Sequence, residues 1–346
     1  MNIAVFSDKF SGTLSAIEVL DIIKDKFLDS RIKADFFSVT DGGQESSEIF
    51  KSYNFQIEER FEALNCDSSL SEVESLNVNE NIFFESAQLI GINSAKDSMS
   101  INSECLLEAI QKTEILGTGG SKTVDFGIGI LNKLGMEFIS NGETVVDPIP
   151  QNFSLIDSVK STNFKPDLEL KVLSDTKIPL LGNDSAFDVF GPQKGLSKED
   201  IEKHKLEVER LITLIDKELV LGLNPNASYS GAAGGLTFTL DQILGCEIES
   251  GAKYFLEETN LIEQLENYDI GIFCEGQFDE SSLEGKIIGE LLKEFKGHKY
   301  FLGGQYTAKN ENIFTDYFQC GPGGINNPKS SLEIATNELI KVLQKD

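Results

Sequence analysis

The sequence predicts an α/β protein of two α/β domains, one built from both termini and the other inserted between them. Three observations carry this. Strand, glycine turn and helix follow one another at the N-terminus, and the same grammar returns near the C-terminus. The chain's 346 residues also exceed the roughly 150 that one domain ordinarily holds. The seams fall at 1–55 plus 265–346 for the first domain and 56–264 for the second.

In chain order, Ile3–Ser7 reads as a buried strand, followed by a glycine loop. A helix then starts from an N-cap at Ser15, with Ile17, Leu20, Ile23 and Phe27 at helical spacing. Ala34–Val39 is a second strand, Thr40–Gly43 a loop, and a helix begins near Glu45. Towards the C-terminus, Tyr268–Phe273 is a strand, Cys274–Gly285 a loop and Lys286–Phe295 a helix. Tyr300–Leu302 and Tyr317–Cys320 are strands, each running into glycines, and Ser331–Leu343 is the last helix. Between these flanks, Asn81–Phe84 and Thr113–Leu116 read as strands, and Phe126–Leu134 and Glu199–Leu214 as helices. Asn141–Pro166 is polar and turn-rich, the pattern of a surface excursion.

Composition narrows the function. Acids outnumber bases 57 to 30, a net charge of −27 that repels nucleic acid and anionic lipid. No nucleic-acid or membrane partner is expected. An anionic substrate must then be held by a few lysines, by backbone amides or through a divalent cation. Five scattered cysteines without a Cys-x-x-Cys pair fit a reducing compartment. Met1–Phe6 leads straight into a strand without a basic leader, and no apolar run approaches the about 18 residues of a membrane span. The expectation is a cytoplasmic protein.

Glycine clusters repeatedly follow a strand: Ser7–Thr13, Thr40–Gly43, Gly117–Ser121, Ser230–Gly235, Glu275–Gly285 and Gly303–Gly304. Open α/β sheets bind ligands at the carboxyl ends of their strands, where loop amides and helix N-termini meet. None of these clusters matches a nucleotide fingerprint by spacing. Gly117–Thr123 nevertheless has small residues, hydroxyls and Lys122, the materials of a phosphate loop. Acids at loop ends form a second set: Asp8, Asp41, Glu85, Asp125, Asp175, Glu275 and Asp279. Each alone suits a helix cap; several together suit Mg²⁺ and a hydroxyl proton. His204, in a charged helix, and His298, in a loop, read as solvated. Phe187–Gly195 reads as a rigid turn that presents Lys194, either to a ligand or simply to solvent.

The order of these segments resembles the bacterial glycerate kinases of the D-glycerate 2-kinase type. Ser7–Ala16 is similar to that family's P-D-S-F-K-G-S-L-S-A, Thr40–Glu45 to A-D-G-G-E-G, and Gly119–Asp125 to G-G-S-A-T-N-D. Phe190–Gly195 and Ser230–Leu236 resemble V-F-G-P-Q-K-G and G-A-A-G-G-L, and Cys274–Lys286 resembles G-E-G-R-x-D-x-Q-T-x-x-G-K. The resemblance covers nearly the whole chain in the same order. It implies a Rossmann/flavodoxin-like domain, the cofactors ATP and Mg²⁺, and phosphorylation of a hydroxyl of D-glycerate or a similar small hydroxy acid. Asp125, Asp41 and Lys286 are then expected in catalysis, and Asp175, Glu275 and Asp279 at the metal. Lys9, Ser11, Gly42, Gly43, Gly119, Gly120, Ser121, Lys122, Lys194 and Gly276 are expected to bind substrate or phosphate. A homodimer is carried as a further expectation.

The chain also departs from the pattern. Ser11 replaces the lysine of F-K-G, with Lys9 nearby, and Val124 replaces the asparagine of T-N-D. Gln277 stands at the arginine after G-E-G, Ser281-Ser282 at Gln-Thr, and Ile178 at an asparagine. Lys122, at an alanine position, is a candidate compensation. Two readings follow: a kinase, or a drifted relative that binds a small anion or nucleotide without turnover. A nicotinamide dehydrogenase lacks its glycine fingerprint here.

Overall fold

The computed structural model describes every residue except 145, 146, 167, 175, 311, 322 and 346. Its contacts divide the chain into two compact units, one of Met1–Asp41, Glu48–Asn54 and Gly251–Asp346, the other of Gly42–Ser47 and Phe55–Ser250. The expected seam at 265 thus falls inside the first unit, because helix Gly251–Glu258 buries Tyr254, Phe255 and Leu256 there. Phe255 packs against Phe50 and Tyr53, which belong to the same unit.

The first unit is a five-stranded parallel sheet in the order Asp316–Gln319, His298–Tyr306, Ile270–Phe278, Ile3–Ser7, Asp35–Ser38. Its inner strands carry buried apolar runs, Ile3–Phe6, Ile270–Cys274 and Tyr300–Leu302, as strands covered on both faces require. Helices Ala16–Ser30 and Pro328–Leu343 cover one face with Val19, Ile23, Phe27, Leu332 and Leu339. On Ala16–Ser30 the expected cap is present, with Ser15 and Glu18 forming a reciprocal capping box. From Ile3–Ser7 the chain winds one way, and from Ile270–Phe278 it winds the other. The strand order therefore reverses between these two neighbours, the place where doubly wound sheets open a crevice.

Strand Ile270–Phe278 continues five residues past the expected end at Phe273. Glu275, Gln277 and Phe278 stay paired with Gly303, Gln305 and Tyr306. The continuation is held by Phe278, fully buried among Phe301, Tyr306 and Phe314. Two expected ligand-loop glycines are strand-packing glycines instead. A Cβ at Gly303 would meet the Glu275 carbonyl, and one at Gly304 the Gly276 carbonyl, both at 2.1 Å.

The second unit holds a six-stranded sheet, ordered Glu247–Ser250, Lys171–Ser174, Ile115–Gly117, Asn81–Glu85, Leu70–Val78, Gln56–Leu64. The first four run parallel, and the last two form an antiparallel hairpin at the edge. The hairpin turn is fixed by Asn65, whose side-chain oxygen accepts the Asp67 and Ser69 amides. Charged side chains along Gln56–Leu64 guard the open edge.

The supposed surface excursion is partly structural. A small antiparallel sheet of Glu143–Thr144, Glu137–Ser140 and Ser158–Lys160 lies there, and Phe153, Ile156 and Val159 enter the core. Helix Lys198–Leu219 begins at a Ser197–Asp200 capping box and buries Ile201, His204, Val208, Leu211 and Ile215 along one stripe. His204 is therefore a core residue rather than a solvated one, because its position falls on the apolar period of that helix. Among the described residues, no helix is long and apolar enough to cross a membrane, and the five cysteines are free thiols.

Candidate functional site

In the first unit, Asp8 follows strand Ile3–Ser7, and Glu275 lies in the neighbouring strand, at the point where the strand order reverses. Glu275 is 5% exposed. Its Oε1 accepts the Ser282 hydroxyl at 3.0 Å and lies 3.8 Å from the Lys286 ammonium. Oε2 is buried without a hydrogen-bond partner. Burial pushes the Glu275 carboxyl up to about 8, helped by the negative charges of Asp8 and Asp279 and opposed by Lys286 and Ser282.

Asp279 caps the short helix Glu280–Leu283, accepting the Ser281 amide at 2.8 Å and its hydroxyl at 2.5 Å. Burial raises this carboxyl, but the Ser281 bonds and the Lys286 charge outweigh it and hold Asp279 below the usual range. Asp41 is buried, and its Oδ1 accepts the Ile287 amide at 2.5 Å, at the first turn of helix Ile287–Glu294. Lys286 is the N-cap residue of that helix. Gly276 has no room for a side chain: a Cβ would sit 2.9 Å from the Phe10 Cα. Lys9 is half-buried and donates its amide to Asp8 Oδ1 at 2.7 Å, while Ser11 is exposed. Asp8, Asp41, Glu275, Asp279 and Lys286 thus belong to one unit. Ser282, counted as a departure, keeps the hydroxyl that a threonine would supply and uses it on Glu275.

The second unit contains the other expected set. Gly42 adopts φ +81°, and its carbonyl would lie 2.4 Å from a Cβ at Gly117, so these two backbones touch. Gly43 approaches the Thr118 carbonyl in the same way. Gly119 and Gly120 both have positive φ, of +135° and +67°. The Gly120 carbonyl accepts the Ile92 amide, and the Lys122 amide donates to the Ile90 carbonyl at 2.7 Å. Beneath them Lys194 is 5% exposed, donating to Ser121 Oγ at 3.1 Å and to the Thr123 carbonyl at 2.8 Å. The turn at Phe187–Gly195 therefore presents Lys194 to the interior.

Asp125 has no exposed surface. Its Oδ2 accepts the Ser103 amide, the Ser103 hydroxyl and the Gly129 amide, at 2.9, 2.7 and 3.2 Å, while Oδ1 is buried without a partner. Burial raises its pKa against those bonds. Asp125 thus ties the Ser103 and Gly129 segments together from the interior. Glu85 likewise uses its two oxygens on the Glu45 and Ser47 amides. Ser230–Leu236 is a backbone wedge rather than a ligand loop. Ala233, Gly234 and Gly235 are all left-handed, and a Cβ at Gly234 would lie 2.0 Å from the Thr123 carbonyl. Asp175 lies outside the described residues.

Among the described residues, no three His, Cys, Asp or Glu side chains make up a ready metal cage. The chemistry of Glu275 and Asp279 still fits Mg²⁺, which is ordinarily bound by one or two carboxylates, with waters and substrate phosphates completing its shell.

Known proteins resemble the chain over most of its length. The family model of the glycerate kinase family matches residues 3–337. A glycerate 2-kinase of Escherichia coli K12 is 27% identical over 327 residues, which is 88% of this chain and 84% of that protein. A glycerate kinase of Neisseria meningitidis serogroup B is 26% identical over 303 residues, 83% and 80% of the two. A crystal structure from Salmonella typhimurium LT2, named as a glycerate kinase 2, superposes with a TM-score of 0.70 at 22% identity and shares the fold across 100% of this chain and 98% of that one. With its motifs in family order and a match from residue 3 to residue 337, the chain belongs to the glycerate kinase family, a family of phosphotransferases.

Proposed function

We propose that the chain transfers the terminal phosphoryl group of ATP to a hydroxyl of D-glycerate, giving phosphoglycerate. The observation that carries this reading is the buried Glu275 carboxylate at the strand-order reversal, with Lys286 at 3.8 Å and one oxygen unpartnered. Such a site suits an incoming cation and phosphate. Glu275 and Asp279 would hold Mg²⁺ that arrives with the nucleotide; when bound, it neutralises phosphate charge. Lys286, at the start of helix Ile287–Glu294, adds positive charge on the same side of the first unit.

Asp41 is assigned the hydroxyl proton. Its Oδ1 is anchored by the Ile287 amide, which fixes the carboxylate's direction while leaving lone pairs to accept a proton. In the second unit, the Gly119–Ser121 turn is assigned the grip on an anion. Phosphoryl transfer demands little covalent work of the protein, so holding the reactants and balancing charge provide most of the rate. The five free cysteines and the need for ATP support a cytoplasmic location under this reading.

The test is a coupled ADP-release assay of the purified chain with ATP and Mg²⁺ over a set of small hydroxy acids. D-glycerate should give the highest kcat/KM, and product analysis then identifies the phosphorylated hydroxyl. ATP binding without turnover on any acid would instead identify a drifted binder.

A further inference from the structure

The turn at Gly119–Ser121 is built to hold something negative. Among the described residues, the amides of Gly119, Gly120 and Ser121 donate to no acceptor. Successive N–H groups in a turn can bind an anion, and this turn carries positive φ at both Gly119 and Gly120. A turn of that kind has few bonds of its own to keep it in shape. Its edges are tied at Gly120 and Lys122 to the 90–92 segment, and its floor is tied by Lys194.

Lys194 is an expensive way to tie a floor. Burying an ammonium costs several kcal/mol unless it is well hydrogen-bonded, and an apolar side chain of the same length would fill the space without that cost. The charged groups acting on it are Asp125, which favours the ammonium, and Lys122, which opposes it; burial brings its pKa down to about 7. Its own backbone is immobilised as well: Ser98 Oγ donates to the Lys194 carbonyl at 3.0 Å, and the Lys194 amide donates to the Gly191 carbonyl. A rigidly held buried amine thus lies beneath a turn whose amides have no acceptor.

We infer that Lys194 is a positioning residue: its ammonium clamps Ser121 and the Thr123 carbonyl so that the three amides converge, and it places positive charge behind the bound anion without touching it. The kinetic part of this inference rests on the phosphotransferase reading above; the structural part does not.

Two variants of the full chain test it. Lys194→Met keeps length and apolar stem while removing the charge and both bonds, and Ser121→Ala removes one bond. Lys194→Met should raise KM for one anionic substrate by about tenfold or more, the worth of a charge-assisted hydrogen bond, with a smaller change in kcat. Hydrogen exchange measured by mass spectrometry should speed up in the peptide spanning 117–124 and nowhere else. Ser121→Ala should move both readouts in the same direction by less. A lowered melting temperature with unchanged KM and unchanged exchange would make Lys194 a purely structural residue and overturn the inference. Should Lys194→Met fail to fold, unchanged KM and exchange in Ser121→Ala would overturn it equally. If the unaltered chain releases no ADP with any hydroxy acid, the kinase reading falls, and the exchange comparison alone then decides whether the clamp exists.

Discussion

The Asp41 carboxylate accepts the Ile287 amide at 2.5 Å, so an acid from the loop after strand Asp35–Ser38 closes the first turn of a helix 246 residues further along the chain. The N-cap residue of that helix, Lys286, makes no side-chain cap of its own. One carboxylate thus has a structural task and a proposed chemical one, and two substitutions separate them. Asp41→Ala should cost about 1–2 kcal/mol in urea unfolding, the usual worth of a lost N-terminal cap. Asp41→Asn keeps an oxygen acceptor and most of that stability, yet it cannot take a proton. Full glycerate-dependent ADP release by Asp41→Asn would remove Asp41 from the chemistry.

Gly234 shows why a glycine-rich motif is not by itself a binding loop. Its φ is +68°, and a Cβ would stand 2.0 Å from the Thr123 carbonyl, the same oxygen that Lys194 grips. Gly234→Ala should destabilise the fold by about 3 kcal/mol or more, combining backbone strain with a clash that backbone must absorb. Gly222 is the control, with φ +75° and open space around it. Gly222→Ala should lose only about 1 kcal/mol, from strain alone. Equal losses in thermal unfolding would show that the wedge at Thr123 is not tight.

Much of this was legible in the sequence, and the rest failed for identifiable reasons. The Ser15 cap, the parallel strands of the first unit and the acids at their ends all follow from local patterns. The glycine clusters were ambiguous because a glycine that lets a ligand approach and a glycine that lets a strand approach look alike; Gly303 and Gly234 are of the second kind. The hairpin of Gln56–Leu64 and Leu70–Val78 escaped because an edge strand is mostly polar and leaves little alternation to see. Asp125 carried a family motif, but nothing local reveals that Ser103, 22 residues earlier, encloses it. His204 was misread from its charged neighbours, although Ile201, Val208, Leu211 and Ile215 mark the stripe on which it lies.

That burial gives His204 a pH signature. Its Nε2 lies 2.7 Å from the Val124 carbonyl, and a carbonyl only accepts, so Nε2 carries the proton and Nδ1 is left as a buried bare nitrogen. The ring stacks on Phe153 and meets Phe187 edge-on, and burial lowers its pKa from 6.5 to about 4. The folded state therefore excludes a proton that the unfolded chain takes up below 6.5. Stability from this group is complete above 6.5 and is lost as pH falls towards 4. Urea unfolding of His204→Gln should show a shallower decline over that window than the unaltered chain. Parallel declines would mean that His204 titrates normally.

Lys194 should leave a mark of the same sign on the alkaline side. Burial lowers its pKa from 10.5 to about 7, so between those values the unfolded chain holds a proton that the folded chain has released. Wherever the unfolded state binds more protons, stability rises with pH, so the penalty of this buried amine shrinks as pH climbs above 7. Buried thiols act against it at higher pH: burial raises Cys105 and Cys274 above the ordinary 9.0, so thiol ionisation favours the unfolded chain beyond that point. Glu275, pushed up to about 8, contributes a falling component below that value. The difference between the unaltered chain and Lys194→Met cancels both. From pH 7 to pH 9 that difference should grow by about 2 kcal/mol in favour of the unaltered chain, close to the 1.4 kcal/mol per pH unit of a single proton. Matching pH profiles for the two proteins would mean that the amine under the turn keeps its proton throughout, and its charge would then be fixed rather than tunable near neutrality.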